Sequence, residues 1–200
     1  RHYETRFGLG DVHVTKLNEI DSLQFLKERP KDKPFCLITS FFATHAVDGD
    51  PKQYLPQKES MQLYENVTVP RAKTHTEEAS LRMPQFFGEY NEGRVRYRWR
   101  HDTPEKHQTM MKNMYRMATE VDTASGNIIA ELEKQGVLND TLIIFTTDNG
   151  LFSGEHGLAD KWYPHEESIR VPLIIKDPRM SKDKIGKVNN DFTLNIDLAP

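Results

Sequence analysis

Residues 147–164, TDNGLFSGEHGLADKWYP, gather Asp148, Asn149, Glu155, His156, Asp160 and Lys161 among three glycines. Asp148 and Asn149 offer a carboxylate and a neutral carbonyl oxygen, the hard donors that Ca2+ and Mg2+ prefer. Two side chains cannot fill a shell of six or more ligands, and Asp-Asn-Gly is also a common turn sequence, so a metal site and a plain turn both stand at this point. Lys161 brings a compact positive charge that can rest on an oxyanion or protonate a leaving oxygen. His156, in the same loop, and His45, after an apolar run, suit hydrogen bonding or proton transfer near neutral pH. A hard-cation site beside an ammonium and an imidazole suits hydrolysis of an anionic ester. Glu167 and Arg170, just beyond the loop, read as a structural ion pair beneath it.

Several elements must hold these groups. Leu17, Ile20, Leu23, Phe25 and Leu26 recur at helical spacing over residues 17–28, and Pro30 and Pro34 stop the helix. Phe35 to Phe42 is a β-rich apolar run, long enough for one buried strand. From Thr44 to His101 periodicity vanishes and prolines recur, so residues 46–103 read as a variable excursion outside the core. Thr103-Pro104-Glu105 then opens a helix, with Thr as N-cap and Pro at the first helical position. Met110, Met114, Met117, Val121, Ile128 and Leu132 mark its core stripe to about Gln135, before Gly136 ends it in a left-handed turn. LIIFT (142–146) and VPLIIK (171–176) read as strands flanking the chemical loop, the first of them a central parallel strand buried on both faces. The order of these elements predicts an α/β fold: part of a mostly parallel sheet flanked by helices. Ligands in such sheets gather beyond the carboxyl ends of strands, where both Thr44-His45 and Asp148-Asn149 fall.

Composition narrows the function classes. Hydrophobic content of 36%, charged content of 28% and a net charge of -3 describe a globular protein with no general affinity for nucleic acid or an anionic membrane. No apolar stretch is long enough to span a bilayer. The single cysteine, Cys36, excludes an internal disulfide and reads as a buried strand residue. RVRYRWRH (94–101) alternates arginine with apolar residues. An extended segment would therefore show its arginines on one face, either as a solvated edge or as a rim for sulfated or carboxylated ligands. Asn66-Val-Thr and Asn139-Asp-Thr are glycosylation sequons too short to settle the compartment.

Taken in order, KPFCLITSFFATHA, the Tyr115–Gly126 helix segment with Val121-Asp122, TLIIFTTDNG, GEHGLADKWYPHEESIRVPLI and the final FTLNIDLAP resemble the formylglycine-dependent sulfatases of the alkaline phosphatase superfamily. The resemblance spans residues 18–45 and 104–200 and is most specific in the last third. It implies that Asp148 and Asn149 ligate Ca2+ in preference to Mg2+. It implies that Lys161 contacts the sulfate and its bridging oxygen, that His45 is a catalytic histidine at the nucleophile or sulfate, and that His156 reaches the substrate. The implied reaction is attack on sulfur by a formylglycine hydrate with loss of the alcohol, followed by release of sulfate. A sulfated carbohydrate or other sulfate ester is the implied partner, and an extracytoplasmic compartment the implied location.

The departures shape the expectation. No Cys/Ser-x-Pro-x-Arg motif, which supplies the family's formylglycine, occurs here, and the early Asp-Asp metal ligands are missing. The resemblance therefore describes residues 1–200 as the central to C-terminal portion of a sulfatase catalytic domain, inactive alone, with formylglycine expected upstream. Two rivals remain: a phosphate or phosphonate ester hydrolase of the same superfamily, and a non-catalytic homologue that binds sulfated glycans.

Overall fold

The computed structural model describes residues 2–6 and 8–198. Arg1 lies outside them, as do Ala199 and Pro200 at the end of the FTLNIDLAP segment. Strands β1 (Tyr3–Arg6) and β2 (Gly10–His13) form an antiparallel hairpin that leads into helix α1 (Val14–Glu28). His13 caps α1, its ring Nδ1 accepting from the Thr15 amide. Short helices α2 (Glu77–Leu81) and α3 (Glu92–Arg100) precede the long helix α4 (Pro104–Lys134). Strand β3 (Ile143–Thr146) follows. The loop beyond it contains β4 (Phe152–Ser153), β5 (Ala159–Asp160) and one turn of helix, α5 (Glu166–Ile169), before β6 (Leu173–Lys176).

Helix α4 organises the molecule and matches its sequence signals. The Thr103 hydroxyl accepts from the Lys106 amide, Pro104 occupies the first turn and Gly136 takes φ 72°. Met110, Met117, Val121 and Leu132 of the expected stripe are buried, with Met114 packed against them. Helix α1 lies along α4, held by Leu17 and Leu26 and by bonds from Asn127 to Glu19 (2.9 Å) and from Gln135 to the Leu26 carbonyl (3.0 Å).

Residues 46–103 do not stand outside the core. Ala46 and Tyr54 form one buried cluster with Met110 and Met117. The irregular stretch from Tyr54 to Val69 is strapped along α4 by helix side chains. Glu120 accepts from the Gln57 amide (2.7 Å), Arg116 donates to the Met61 and Leu63 carbonyls (2.6 and 3.0 Å), and Gln108 pairs with both backbone groups of Val69 (2.9 and 2.7 Å). Backbone groups without a ladder thus find partners on a helix, which is what lets a non-periodic segment pack.

The sheet also departs from expectation. Among the described residues there are three two-stranded sheets, all antiparallel. β3 pairs antiparallel with β6, Ile144 opposite Ile175, because the loop between them brings the chain straight back without a crossover. Both strands leave apolar side chains in solvent, with Ile144, Phe145, Ile174 and Ile175 exposed, so β3 is not buried on two faces. Residues 35–42 carry the alternating burial of a strand but pair with no described strand, and Cys36 is exposed rather than buried. RVRYRWR is helical, not extended: α3 starts at the Asn91 cap and stacks its arginines in i, i+4 pairs.

Candidate active site

The loop between β3 and β6 owes its shape to close packing at three glycines, one of them Gly154 (φ 111°), where a Cβ would strike the His75 ring. A Cβ on Gly150 would collide with the Glu167 carbonyl oxygen, and its amide donates to the Ser168 carbonyl at 2.7 Å. The strand end that carries Asp148 and Asn149 is thereby docked on α5. Gly157 adopts φ 67°, and a Cβ there would strike the Arg94 guanidinium. That guanidinium is the loop's main fastening: Nη1 donates to the carbonyls of His156 (2.7 Å) and Gly157 (2.9 Å) and to the Ser80 hydroxyl, Nε to the Phe87 carbonyl (2.9 Å), and Nη2 to the Ser80 carbonyl (2.8 Å). The His156 amide donates in turn to the Thr74 carbonyl at 2.8 Å.

A second arginine fixes the residue before Lys161. Arg100 is fully buried, donating to Asp160 (2.8 Å) and Gln53 (2.8 Å) with its guanidinium 5.7 Å from the Tyr54 ring centroid. Asp48 lies 3.9 Å from the Arg100 guanidinium and pairs with Arg96. Burial opposes ionisation of the Asp48 carboxyl, yet its hydrogen bond from Arg96 and the charges of Arg96, His45 and Arg100 hold it below the usual carboxylate range. Arg94 and Arg100 are therefore spent largely inside the protein, while Arg98 is exposed and lines, with Arg94, a separate cleft bordered by Ser80, Phe87 and Tyr97.

The sequence-predicted residues fall into two groups. Asn149 and Lys161 line one open cleft of about 520 Å3, together with Trp162, Tyr163, Pro164, Ser168 and Ile169. Asp148 is the exposed residue adjoining it; Asn195 donates to the carbonyls of Thr147 and Asp148 (both 3.3 Å). His156 and His45 are not among the residues lining that cleft. His156, in a left-handed conformation (φ 54°), directs Nε2 toward Glu167 Oε1 at 3.6 Å. His45 is exposed, its Nδ1 on the Ala46 carbonyl (2.7 Å) and its ring against Phe42. The expected Glu167–Arg170 pair is not formed: Glu167 faces His156, and Arg170 reaches Glu166 one helical turn back at 3.9 Å, both ends in solvent. Trp162, which lines the cleft with Asn149 and Lys161, is a residue that loop composition alone did not single out.

For a hard cation, Asp148 and Asn149 fit as donors by chemistry: one carboxylate and one amide oxygen at a strand end. Among the described residues no group of three or more His, Cys, Asp or Glu side chains is arranged to hold a metal ion, so these two can be only part of a shell.

Comparison with known proteins agrees with the geometry. A family model described as Sulfatase matches residues 19–200. The chain is 39% identical over 95 residues to an N-acetylglucosamine-6-O-sulfatase of Bacteroides thetaiotaomicron, covering 48% of this chain and 17% of that protein. It is 29% identical over 192 residues to an arylsulfatase of Clostridium perfringens, covering 95% of this chain and 37% of that protein. A solved structure in complex with its substrate, D-glucosamine-2-N,6-O-disulfate, superposes with a TM-score of 0.64 at 23% identity, over 84% of this chain and 44% of that one. A phosphonate monoester hydrolase from Silicibacter pomeroyi superposes with a TM-score of 0.67 at 23% identity, over 82% of this chain and 33% of that one. At this identity the superpositions show a shared fold, and the chain spans less than half the length of each of these proteins. The match across residues 19–200, carrying the Asp148-Asn149 strand end and the Lys161 loop together, makes the chain a member of the sulfatase family.

Proposed function

We propose that the protein is a sulfuric ester hydrolase acting on a sulfated carbohydrate, and that this chain supplies one wall of its active site. The observation that carries the reading is Lys161 and Asn149 on one cleft, in a chain of the sulfatase family. Lys161 sits on the sulfate and its bridging oxygen, where a fixed positive charge lowers the cost of charge developing on the leaving alcohol. Asp148 and Asn149 hold Ca2+, less readily Mg2+, together with ligands from outside this chain; the cation supplies charge neutralisation at the transferring sulfuryl group. His156, backed by Glu167, donates a hydrogen bond to the substrate from the far end of the loop. His45 belongs to the nucleophile's side of the site, where the formylglycine of this family is expected. Extended residues 35–42 supply a strand to a mostly parallel sheet in the whole protein. The carbohydrate is supported by the Bacteroides relative, an N-acetylglucosamine-6-O-sulfatase, and by the sugar disulfate bound in a structural neighbour.

A Drosophila melanogaster relative described as an extracellular sulfatase, 30% identical over 184 residues (90% of this chain, 15% of that protein), supports an extracytoplasmic compartment; no helix among the described residues is long and apolar enough to cross a membrane. A second reading, hydrolysis of phosphonate or phosphate esters, is favoured by the fold shared with the phosphonate monoester hydrolase. The test is turnover by the complete, matured protein on N-acetylglucosamine 6-sulfate and on a phosphonate monoester. Faster sulfate release is expected. Lys161→Ala should lower kcat by about 100- to 1000-fold, the usual loss when one group stabilising transition-state charge is removed. Undiminished turnover in Lys161→Ala, or preference for the phosphonate, overturns the assignment.

A further inference from the structure

We propose that Trp162 is the platform on which the sugar ring bearing the sulfate stacks, an inference that rests on the carbohydrate sulfatase reading above. Trp162 lines the same cleft as Lys161 and Asn149, with 52% of its surface exposed. An indole is among the largest apolar side chains; the Arg96 guanidinium lies over this ring at 6.0 Å from its centroid, and the half left in water beside a charged site is surface that a ligand can bury.

The backbone explains how it comes to be there. Consecutive residues of an extended chain point to opposite sides. Lys161 and Trp162 nevertheless share one cleft, because Trp162 takes φ 88°, a conformation a bulky L-residue rarely adopts. Asp160 is left-handed as well (φ 75°), so Lys161 is bracketed by two strained residues. The strain is sustained by what surrounds it: Arg100 pins Asp160 at 2.8 Å, and the Tyr163 hydroxyl donates to Asn91 at 2.7 Å. Strain of this kind collects at ligand sites, where the surrounding structure over-determines it. Here its product is an ammonium and an indole turned to the same space.

The cleft's form selects the class of ring. It combines aromatic Trp162 and Tyr163 and apolar Pro164 and Ile169 with polar groups at Lys161 and Asn149, which suits a ligand that has both an apolar face and a polar edge. A pyranose carries C–H bonds on its faces and hydroxyls around its edge. It can lay a face on the indole while its edge stays wet and its sulfate reaches Lys161.

The test uses the complete protein and two probes, N-acetylglucosamine 6-sulfate and inorganic sulfate, with calorimetric affinity and turnover read separately. Trp162→Ala is expected to weaken sugar-sulfate binding about tenfold, a loss of the size aromatic contacts give, while the inhibition constant of inorganic sulfate stays within about twofold. Trp162→Phe should recover most of the affinity. Trp162→Gly, which suits the left-handed backbone, should show the same loss of sugar affinity with no fall in Tm. Unchanged sugar affinity in Trp162→Ala and Trp162→Gly overturns the proposal while leaving a sulfatase in place. Equal weakening of inorganic sulfate also overturns it, since Trp162 would then merely position Lys161. Binding that depends on Trp162 in a wild-type protein that releases no sulfate upholds the platform and overturns the enzyme. Wild-type protein that binds no sugar sulfate overturns both.

Discussion

Arg100 shows what a single buried charge costs and does. Its guanidinium is fully buried, and Asp160, its partner at 2.8 Å, is buried as well. Removing one member of such a pair strands the other, at about 3–5 kcal/mol. Arg100→Met should therefore lower the urea midpoint markedly, and it should cost turnover too, since Asp160 adjoins Lys161; a variant that keeps both would refute this role. Buried histidines act in another way. His2 is pushed down to about 4 by burial and by His13, His75 to about 4 by burial, Arg71 and His107, and His101 to about 3 by burial and by His107, His75, Arg100 and Arg71. A lowered folded pKa means that the unfolded chain binds the proton more readily. Their contribution to stability is complete above the unfolded value near 6.5 and is lost as pH falls from there toward 4. Thermal melts between pH 7.5 and 4.5 should show the decline, and His101→Gln should flatten it. Histidine identity is plain in the sequence. Its burial is not, because the Arg71, His75, His101 and His107 neighbourhood joins residues far apart in the chain.

Among the elements, those specified locally were legible and those needing a distant partner were not. Helix α4 carries its own caps and stripe, so both ends fall where Thr103, Pro104 and Gly136 put them. Helix α3 has equally local signals, Asn91 as cap and Glu92 in the first turn, but its alternating arginines imitate the period of a strand. Residues 35–42 have the pattern of a strand, yet a strand exists only with a neighbour to pair with. For the candidate site, the meeting of Asn149 and Lys161 on one cleft was readable because one loop holds both. Arg94 as its fastener was not, because nothing around residue 94 encodes a contact with residues 156 and 157. The docking of the β3 end on α5 makes a direct prediction. Gly150→Ala places a methyl group against the Glu167 carbonyl, so the loop must shift at Asn149. Overpacking of this type costs about 1–3 kcal/mol. Weakened Ca2+ affinity in the complete protein, measured by calorimetry, is expected, and unaltered affinity would show that Asn149 is not a ligand held by this contact.

At the scale of the molecule, uncovered apolar surface dominates. Ile144, Phe145, Ile174 and Ile175 project from the β3–β6 pair into solvent, and Ile38 is 84% exposed on the extended segment. Exposed strand faces and unpaired edges invite association. The 200-residue chain expressed alone should form soluble aggregates or bind an apolar dye strongly, as read by light scattering and fluorescence; a monodisperse monomer with a sharp cooperative melt would contradict this. The chain's α/β character was legible as an alternation of patterns, while the antiparallel pairing depends on how a long loop returns. That loop is also why residues 46–103 cannot be treated as interchangeable decoration. Anyone transplanting this stretch between relatives to alter specificity would also be replacing the guanidinium that holds the carbonyls of residues 156 and 157 and the one that holds Asp160. A workable graft has to carry residues 71–101 and 154–163 as one cassette, with its seams elsewhere.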